Sequence, residues 1–424
     1  MNEKVILDDD FVLGELHGLA TSGRELVPPV GPRREARHRI EDTIARCCER
    51  FDRHRGFSYL AAGPGDLLSE QKLLRRGLDL VGLVLGLERS LPLFERIVEV
   101  DWRAHLDLDK EKRYRDHITH PVRVTAIGWW LLHRADRALL ESMAAHYEQS
   151  TLEYRSARGI DLGGHSWEDL VQYAWLAGGL LHDSMYPMEY HLRAGERLGE
   201  QSCDALGLCA VAAKLHSPGD RRRLVEPLRN SWFTSQRLLL EQRLSSLPSR
   251  QFKHAHALLG ALHHLHASGD RLHTLQGLIL QMAARAIVTH HDKEETAIVT
   301  DPLALLLYIS DNLQIWKRPF LFAHALPGQP GSHGIRPIVE CERIELIPEG
   351  SGYDARFWMN PDPRDMEILK NDPYRWRFED FRAPNHRLQE LIARQAILPP
   401  IRLAEPTCVM PNEFFEFMKV QEVD

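Results

Sequence analysis

The chain lacks several features that would settle its class at once. Across 424 residues there is no apolar run that approaches the ~20 residues of a bilayer span, and stretches such as Val81–Leu87 stop far short of it. Positive charge is not in excess. A net charge of −7 gives no bulk electrostatic argument for nucleic acid or for an anionic membrane as partner. The six cysteines, Cys47, Cys48, Cys203, Cys209, Cys341 and Cys408, include no C-x-x-C pair, which removes the usual zinc, redox and disulfide frameworks. The N-terminal MNEKVILDDDF is acidic and has no apolar centre, unlike a secretory signal. No internal repeat or low-complexity tract occurs. These absences point to a globular cytoplasmic protein with reduced thiols, and its length suits one large domain with an appendage, or two domains.

What the chain does have is histidine, 23 of them, several on apolar stripes. The organising stretch is Trp175–Pro187, WLAGGLLHDSMYP, an apolar run that closes on His182-Asp183. A buried imidazole and carboxylate are costly unless paired, hydrogen-bonded or bound to a metal. The periodicity predicts a helix leading to this pair, with Ser166 as its N-cap and Gly178-Gly179 permitting a close backbone neighbour.

Upstream, Arg33–Arg55 reads as a helix with Ile40, Ile44 and Phe51 on one stripe, and residues 66–87 and Leu91–His105 as two more. Tyr114–Tyr147 reads as a long helical stretch. Pro121 suits its first turn, and His120, Val124, Ile127 and Leu131 share the apolar face. His117, one turn earlier, competes with His120. His133 and His146 fall later on the same helix as structural or surface residues. Downstream, His254–His273 is dense in histidine, with His256, Leu259 and His263 on one face. Leu275–His291 is an apolar helix ending in His290-His291, and Pro302–Trp316 is another that carries Asp311 late in its run. After the Gly/Pro-rich Ala325–Pro337, the stretches Ile338–Ile347 and Tyr353–Met359 read as a hairpin across PEGSG.

His120, His182, Asp183, His256, His290, His291 and Asp311 are thus polar groups collected on core-facing segments. A shared metal centre accounts for them together, whereas separate satisfied histidines would need as many independent explanations.

The order His … His-Asp … Asp resembles the HD superfamily of metal-dependent phosphohydrolases. HPVRV at 120–124 resembles the family's first segment, LLHDSMYP at 180–187 its Leu-Leu-His-Asp-Ile-Gly turn, and Tyr308–Asp311 its closing apolar run before Asp. His256 before Gly260-Ala261 and the His290-His291 pair resemble the extra-histidine subgroup, which includes the HD-GYP phosphodiesterases. The resemblance covers roughly residues 114–316. Met185 and Tyr186 replace the family's Gly and its frequent Lys, and DKEETAIVTD follows the His pair with no Gly-Tyr-Pro, so a cyclic-dinucleotide substrate does not follow. About 70 residues separate Asp183 from His256, which makes 199–250 look like an insertion.

The resemblance implies an all-α fold, an HD-domain helical bundle at 111–324. Residues 1–110 would form an N-terminal helical segment on the core, and 325–424 a small α+β C-terminal appendage. It implies one metal from His120, His182, Asp183 and Asp311, and a second ion if His256 and His290 or His291 contribute, bridged by Asp183. His182 and Asp183 are the residues tied most closely to the chemistry. Imidazole-rich ligation suits Fe, Mn, Ni, Co or Zn better than Mg. The implied reaction is hydrolysis of a small phosphorylated substrate, with a nucleotide phosphomonoester or phosphodiester as the leading expectation. Alternatives are a non-catalytic regulatory HD module and a di-iron oxygenase of HD type. No membrane or nucleic-acid partner is indicated, and a homo-oligomer is compatible with the sequence.

Overall fold

The computed structural model describes residues 4–22, 34–58, 64–87, 118–135, 137–184, 273–290, 301–314, 316, 320–322, 336–349, 352–361 and 403–409, together with Leu91, Phe94 and Val98. Most of this is helical, and a small sheet completes it. Among the described residues the order is β1 (Val5–Leu7), α1 (Asp9–Ser22), α2 (Arg34–Ser58), α3 (Pro64–Asp79), α4 (His120–Trp130), α5 (Arg137–Arg158), α6 (Trp167–Leu181), α7 (Leu275–Thr289), α8 (Pro302–Leu313), β2 (Phe320–Phe322), β3 (Arg336–Glu349), β4 (Gly352–Pro361) and β5 (Leu403–Val409).

The apolar pattern dictates which helices lie inside. α4 is buried along its whole length, and α6, α7 and α8 nearly so. A helix that is apolar all round belongs in a core rather than on its surface. α6 lies at the centre and packs on α4, α5 and α7, while α8 packs on α4 and α7. The amphipathic α2 buries Ile40, Ile44 and Phe51, the stripe its periodicity predicts, together with Thr43, Cys47 and Cys48.

Local signals place α6 with little freedom. Ser166 accepts from the Asp169 N–H at 3.1 Å while Asp169 accepts from the Ser166 N–H at 2.9 Å, a reciprocal capping box. The preceding loop turns on Gly159, Gly163 and Gly164, all at positive φ. Gly179 lies so close to α4 that a Cβ there would sit 3.2 Å from Thr125 Cα. Trp175 donates its indole N–H to the Thr125 carbonyl at 3.0 Å, fixing the same helix pair.

Two features depart from the sequence reading. The stretch after His120 is not one regular α-helix. α4 passes into a π-helical segment, Leu131–Ala135, and α5 is described from Arg137, so His133 lies in the π segment, exposed, and His146 on α5. Residues 66–87 likewise end in a π-type turn at Leu80–Val84.

The hairpin expected around PEGSG is present as β3 and β4, antiparallel, with Glu349 opposite Gly352. β3 is long enough to pair along one edge with both β1 and β2: Val5–Leu7 faces Leu346–Ile344, and Phe320–Phe322 pairs toward the other end. β5 joins β4 in parallel. The N-terminal strand therefore belongs to the C-terminal sheet, and Lys4 Nζ meets Glu345 Oε1 at 2.9 Å. Tyr353 of β4 meets Trp130 of α4 edge-on at 5.4 Å between ring centres, which joins the sheet to the helical core.

One buried carboxylate ties the N-terminus to the middle of the chain. Asp9, at the start of α1, accepts from Arg123 Nε at 2.9 Å and from Arg123 Nη2 at 3.1 Å. It also accepts from Trp316 Nε1 at 3.1 Å and Ser69 Oγ at 3.2 Å. Arg123 is fully buried and also donates to Thr119 Oγ1 at 3.1 Å. A bidentate, further hydrogen-bonded pair is the form in which a buried guanidinium is tolerated. The Arg of HPVRV is thus a structural tie.

Candidate metal centre

Four helix ends converge on one point. His120 is the first residue of α4, where Pro121 supplies no N–H that the helix needs. His182 follows α6 as its C-cap, with Asp183 next. His290 is the C-cap of α7. Asp311 sits in the last turn of α8. Ligands carried on helix ends within a packed core have little freedom to reorient.

His120, His182 and Asp183 form a buried group whose ligand atoms lie within 4.8 Å of one another, a set that can hold a metal ion. Asp183 Oδ2 stands 3.6 Å from His120 Nε2, and Asp183 Oδ1 stands 3.7 Å from His182 Nε2. Asp311 Oδ1 approaches His120 Nε2 to 2.9 Å. The His120 and His182 rings lie 5.3 Å apart, and the His182 and His290 rings 5.5 Å apart, each pair edge to face.

The other ring nitrogens reveal the tautomers. His182 Nδ1 lies 2.8 Å from the Gly179 carbonyl, and His290 Nδ1 lies 2.7 Å from the Ile287 carbonyl. A carbonyl only accepts, so Nδ1 carries the proton and Nε2 presents a lone pair. His182 Nε2 is buried with no hydrogen-bond partner among the described residues. His120 Nδ1 is held by Gln314 Oε1. The Gln314 amide is oriented by its NH₂, which donates to the Trp316 carbonyl at 2.8 Å. His120 therefore also turns a lone pair inward, toward the Asp311 carboxylate 2.9 Å away. Two acceptors face each other at hydrogen-bond distance, which requires a shared cation, either a proton or a metal. Histidines that donate Nδ1–H outward and offer Nε2 inward have the form of metal-ligating imidazoles. The His290 pKa is pushed down to about 3, mainly by burial and next by the His182 ring. At neutral pH it is therefore an uncharged ring able to offer a lone pair.

The residues present thus fit a metal. Of those singled out in the sequence, the fold brings His120, His182, Asp183, His290 and Asp311 together. His117, His256 and His291 lie outside the described residues, as does the 199–250 stretch. Sequence reasoning missed Gln314. Its signal was a polar residue three positions beyond Asp311, at the end of an otherwise apolar helix. It also missed Asp301, the last residue of the DKEETAIVTD stretch. Asp301 caps α8 through the Ala304 N–H at 3.0 Å, accepts from Tyr147 Oη at 2.7 Å and faces Arg285 Nε at 2.9 Å. This buried cluster fixes the start of the helix that carries Asp311 at its other end.

No family model, no curated protein and no solved structure matches the chain.

Proposed function

We propose that this chain is a metal-dependent phosphohydrolase of HD type that hydrolyses a phosphomonoester or phosphodiester, with a nucleotide as substrate. The observation that carries the reading is the meeting of His120, His182, Asp183 and Asp311 at one buried point, in the order that resembles the HD motif. The imidazole lone pairs there are turned toward carboxylate oxygens. Such a donor set, rich in nitrogen, favours Fe, Mn, Co, Ni or Zn over Mg. His290 adjoins it, in keeping with the extra-histidine subgroup and with a second ion.

A transition metal bound there would supply a water acidic enough to ionise near neutral pH and positive charge for the phosphoryl oxygens. The chain's own residues do the rest. The Gly179 and Ile287 carbonyls hold the His182 and His290 rings in one tautomer. Asp183 offers one oxygen toward each of His120 and His182. The fully buried imidazoles lie where bulk water does not compete for their lone pairs.

The test is a panel of nucleoside mono-, di- and triphosphates, cyclic nucleotides and simple phosphoesters. Protein loaded with Mn, Fe, Co, Ni or Zn is assayed for phosphate or alcohol release. Hydrolysis of at least one member, abolished in Asp183→Ala, is the expected result. Metal-loaded protein that hydrolyses none of them overturns the reading, and oxygen uptake by the iron-loaded form would reassign the site to oxygenation.

A further inference from the structure

The geometry assigns Gln314 a positioning role: it selects the tautomer of His120 that turns Nε2 toward the metal site. This rests on the metal-site reading above and names a residue that the ligand motif does not contain.

α8 ends at Leu313, and Gln314 leaves the helical path with φ −81° and ψ +81°. That departure folds its side chain back into the core, where it is fully buried. Its amide then bridges two partners of opposite kind. The NH₂ donates to the Trp316 carbonyl at 2.8 Å. A carbonyl accepts only, so the amide has one orientation, and its oxygen must face His120 Nδ1. An oxygen acceptor there demands the Nδ1–H tautomer. The lone pair is then left on Nε2, beside Asp311 and Asp183.

The Trp316 carbonyl is itself held in place. The Trp316 ring is fully buried and donates to Asp9, which also grips Arg123 of α4, three residues after His120. The support of His120 therefore closes on itself: α4, Arg123, Asp9, Trp316, Gln314 and back to His120. A glutamine suits this position because its oxygen accepts without adding charge, and its nitrogen anchors it. A hydrocarbon of similar length would leave Nδ1 without an acceptor, and the proton would then favour Nε2, beside the Asp311 carboxylate.

The experiment compares wild type, Gln314→Met and Gln276→Met. Gln276 is a control. It is also a buried glutamine donating to a main-chain carbonyl, that of Leu85 at 3.1 Å. It stands near the start of α7, about 20 Å along that helix from His290. Zn²⁺ affinity is measured by chelator competition, and helix content and thermal midpoint of the metal-free forms are measured alongside. Gln314→Met is expected to lose about ten- to a hundredfold in Zn²⁺ affinity, as removal of a group supporting a ligating His typically does. Gln276→Met is expected to lose thermal stability and keep wild-type affinity. Equal affinities in wild type and Gln314→Met overturn the assignment while leaving the metal site standing. A wild type that binds no Zn²⁺ overturns the metal site and this inference with it. If Gln314→Met does not fold, long-range ¹H–¹⁵N spectra of Zn²⁺-loaded wild type decide. A His120 ring protonated at Nδ1 and coordinated through Nε2 supports the assignment, and coordination through Nδ1 overturns it.

Discussion

Adjacent glycines in α6 face different environments, and replacing each by alanine separates packing from backbone propensity. A Cβ on Gly178 would meet nothing nearer than Ala283 Cα at 3.9 Å, an ordinary contact. A Cβ on Gly179 would lie 2.5 Å from Thr125 Oγ1 and 3.2 Å from Thr125 Cα. The hydroxyl could rotate only by giving up its 2.7 Å hydrogen bond to the Pro121 carbonyl, and the Cα cannot move without α4. Both substitutions gain the same helix propensity, about 1 kcal/mol. Gly178→Ala should therefore stabilise by up to ~1 kcal/mol. Gly179→Ala carries an overpacking cost of about 1–3 kcal/mol against that gain, for a net loss of up to ~2 kcal/mol. Propensity cancels in the difference between the two variants, which isolates the cost of the α4–α6 approach at about 1–3 kcal/mol. Urea unfolding of the metal-free variants, followed by far-ultraviolet circular dichroism at matched m-values, reads that difference. Gly179 also holds His182 through its carbonyl, so its variant should lose metal affinity while Gly178→Ala keeps it. Two variants of equal stability would refute the close packing of α4 on α6.

Three further outcomes are expected. Arg123→Met leaves the Asp9 carboxylate buried without its guanidinium and should cost about 3–5 kcal/mol in urea unfolding. A variant of unchanged stability that loses only turnover would instead make Arg123 a substrate contact. The Tyr147 hydroxyl has its pKa raised well above 10, by burial first and then by Asp301. The fold therefore favours the protonated phenol, and stability is complete below pH 10. Above it, stability falls as the unfolded chain releases a proton that the folded chain keeps, by about 1.4 kcal/mol per pH unit. Tyr147→Phe should flatten that alkaline loss while costing about 1.5–3 kcal/mol at neutral pH for the lost bond to Asp301. An alkaline profile identical to wild type would contradict this.

Much of the helical core was legible because its signals are local and strong. Pro121 and Ser166 mark helix starts, and the apolar runs at 167–181, 275–289 and 302–313 are longer than strands and carry no polar face. The His-Asp pair was legible because unpaired charge at the end of an apolar run demands an explanation. The rest was not legible, for physical reasons. The change from α4 to the π-helical segment falls in LLHRA, whose residues are all acceptable in an α-helix, so no local signal marks it. The pairing of Val5–Leu7 with β3 joins residues more than 300 positions apart, and three residues carry no register signal. Gln314 escaped because its role depends on a partner 194 positions away and on the backbone turn that brings it there. Arg123 belonged to a motif, but its partner Asp9 lies in a segment that the motif does not reach.

The most direct test of the central claim is the metal content of purified protein. Protein is equilibrated with Mn, Fe or Zn, desalted and analysed by mass spectrometry, beside a His182→Ala/Asp183→Ala double variant shown to keep its helix content. Wild type should retain at least one transition-metal ion per chain, and the double variant should lose the ion held between His120 and Asp311. A folded wild type that retains none of these metals, or a double variant that retains as much as wild type, would contradict the account.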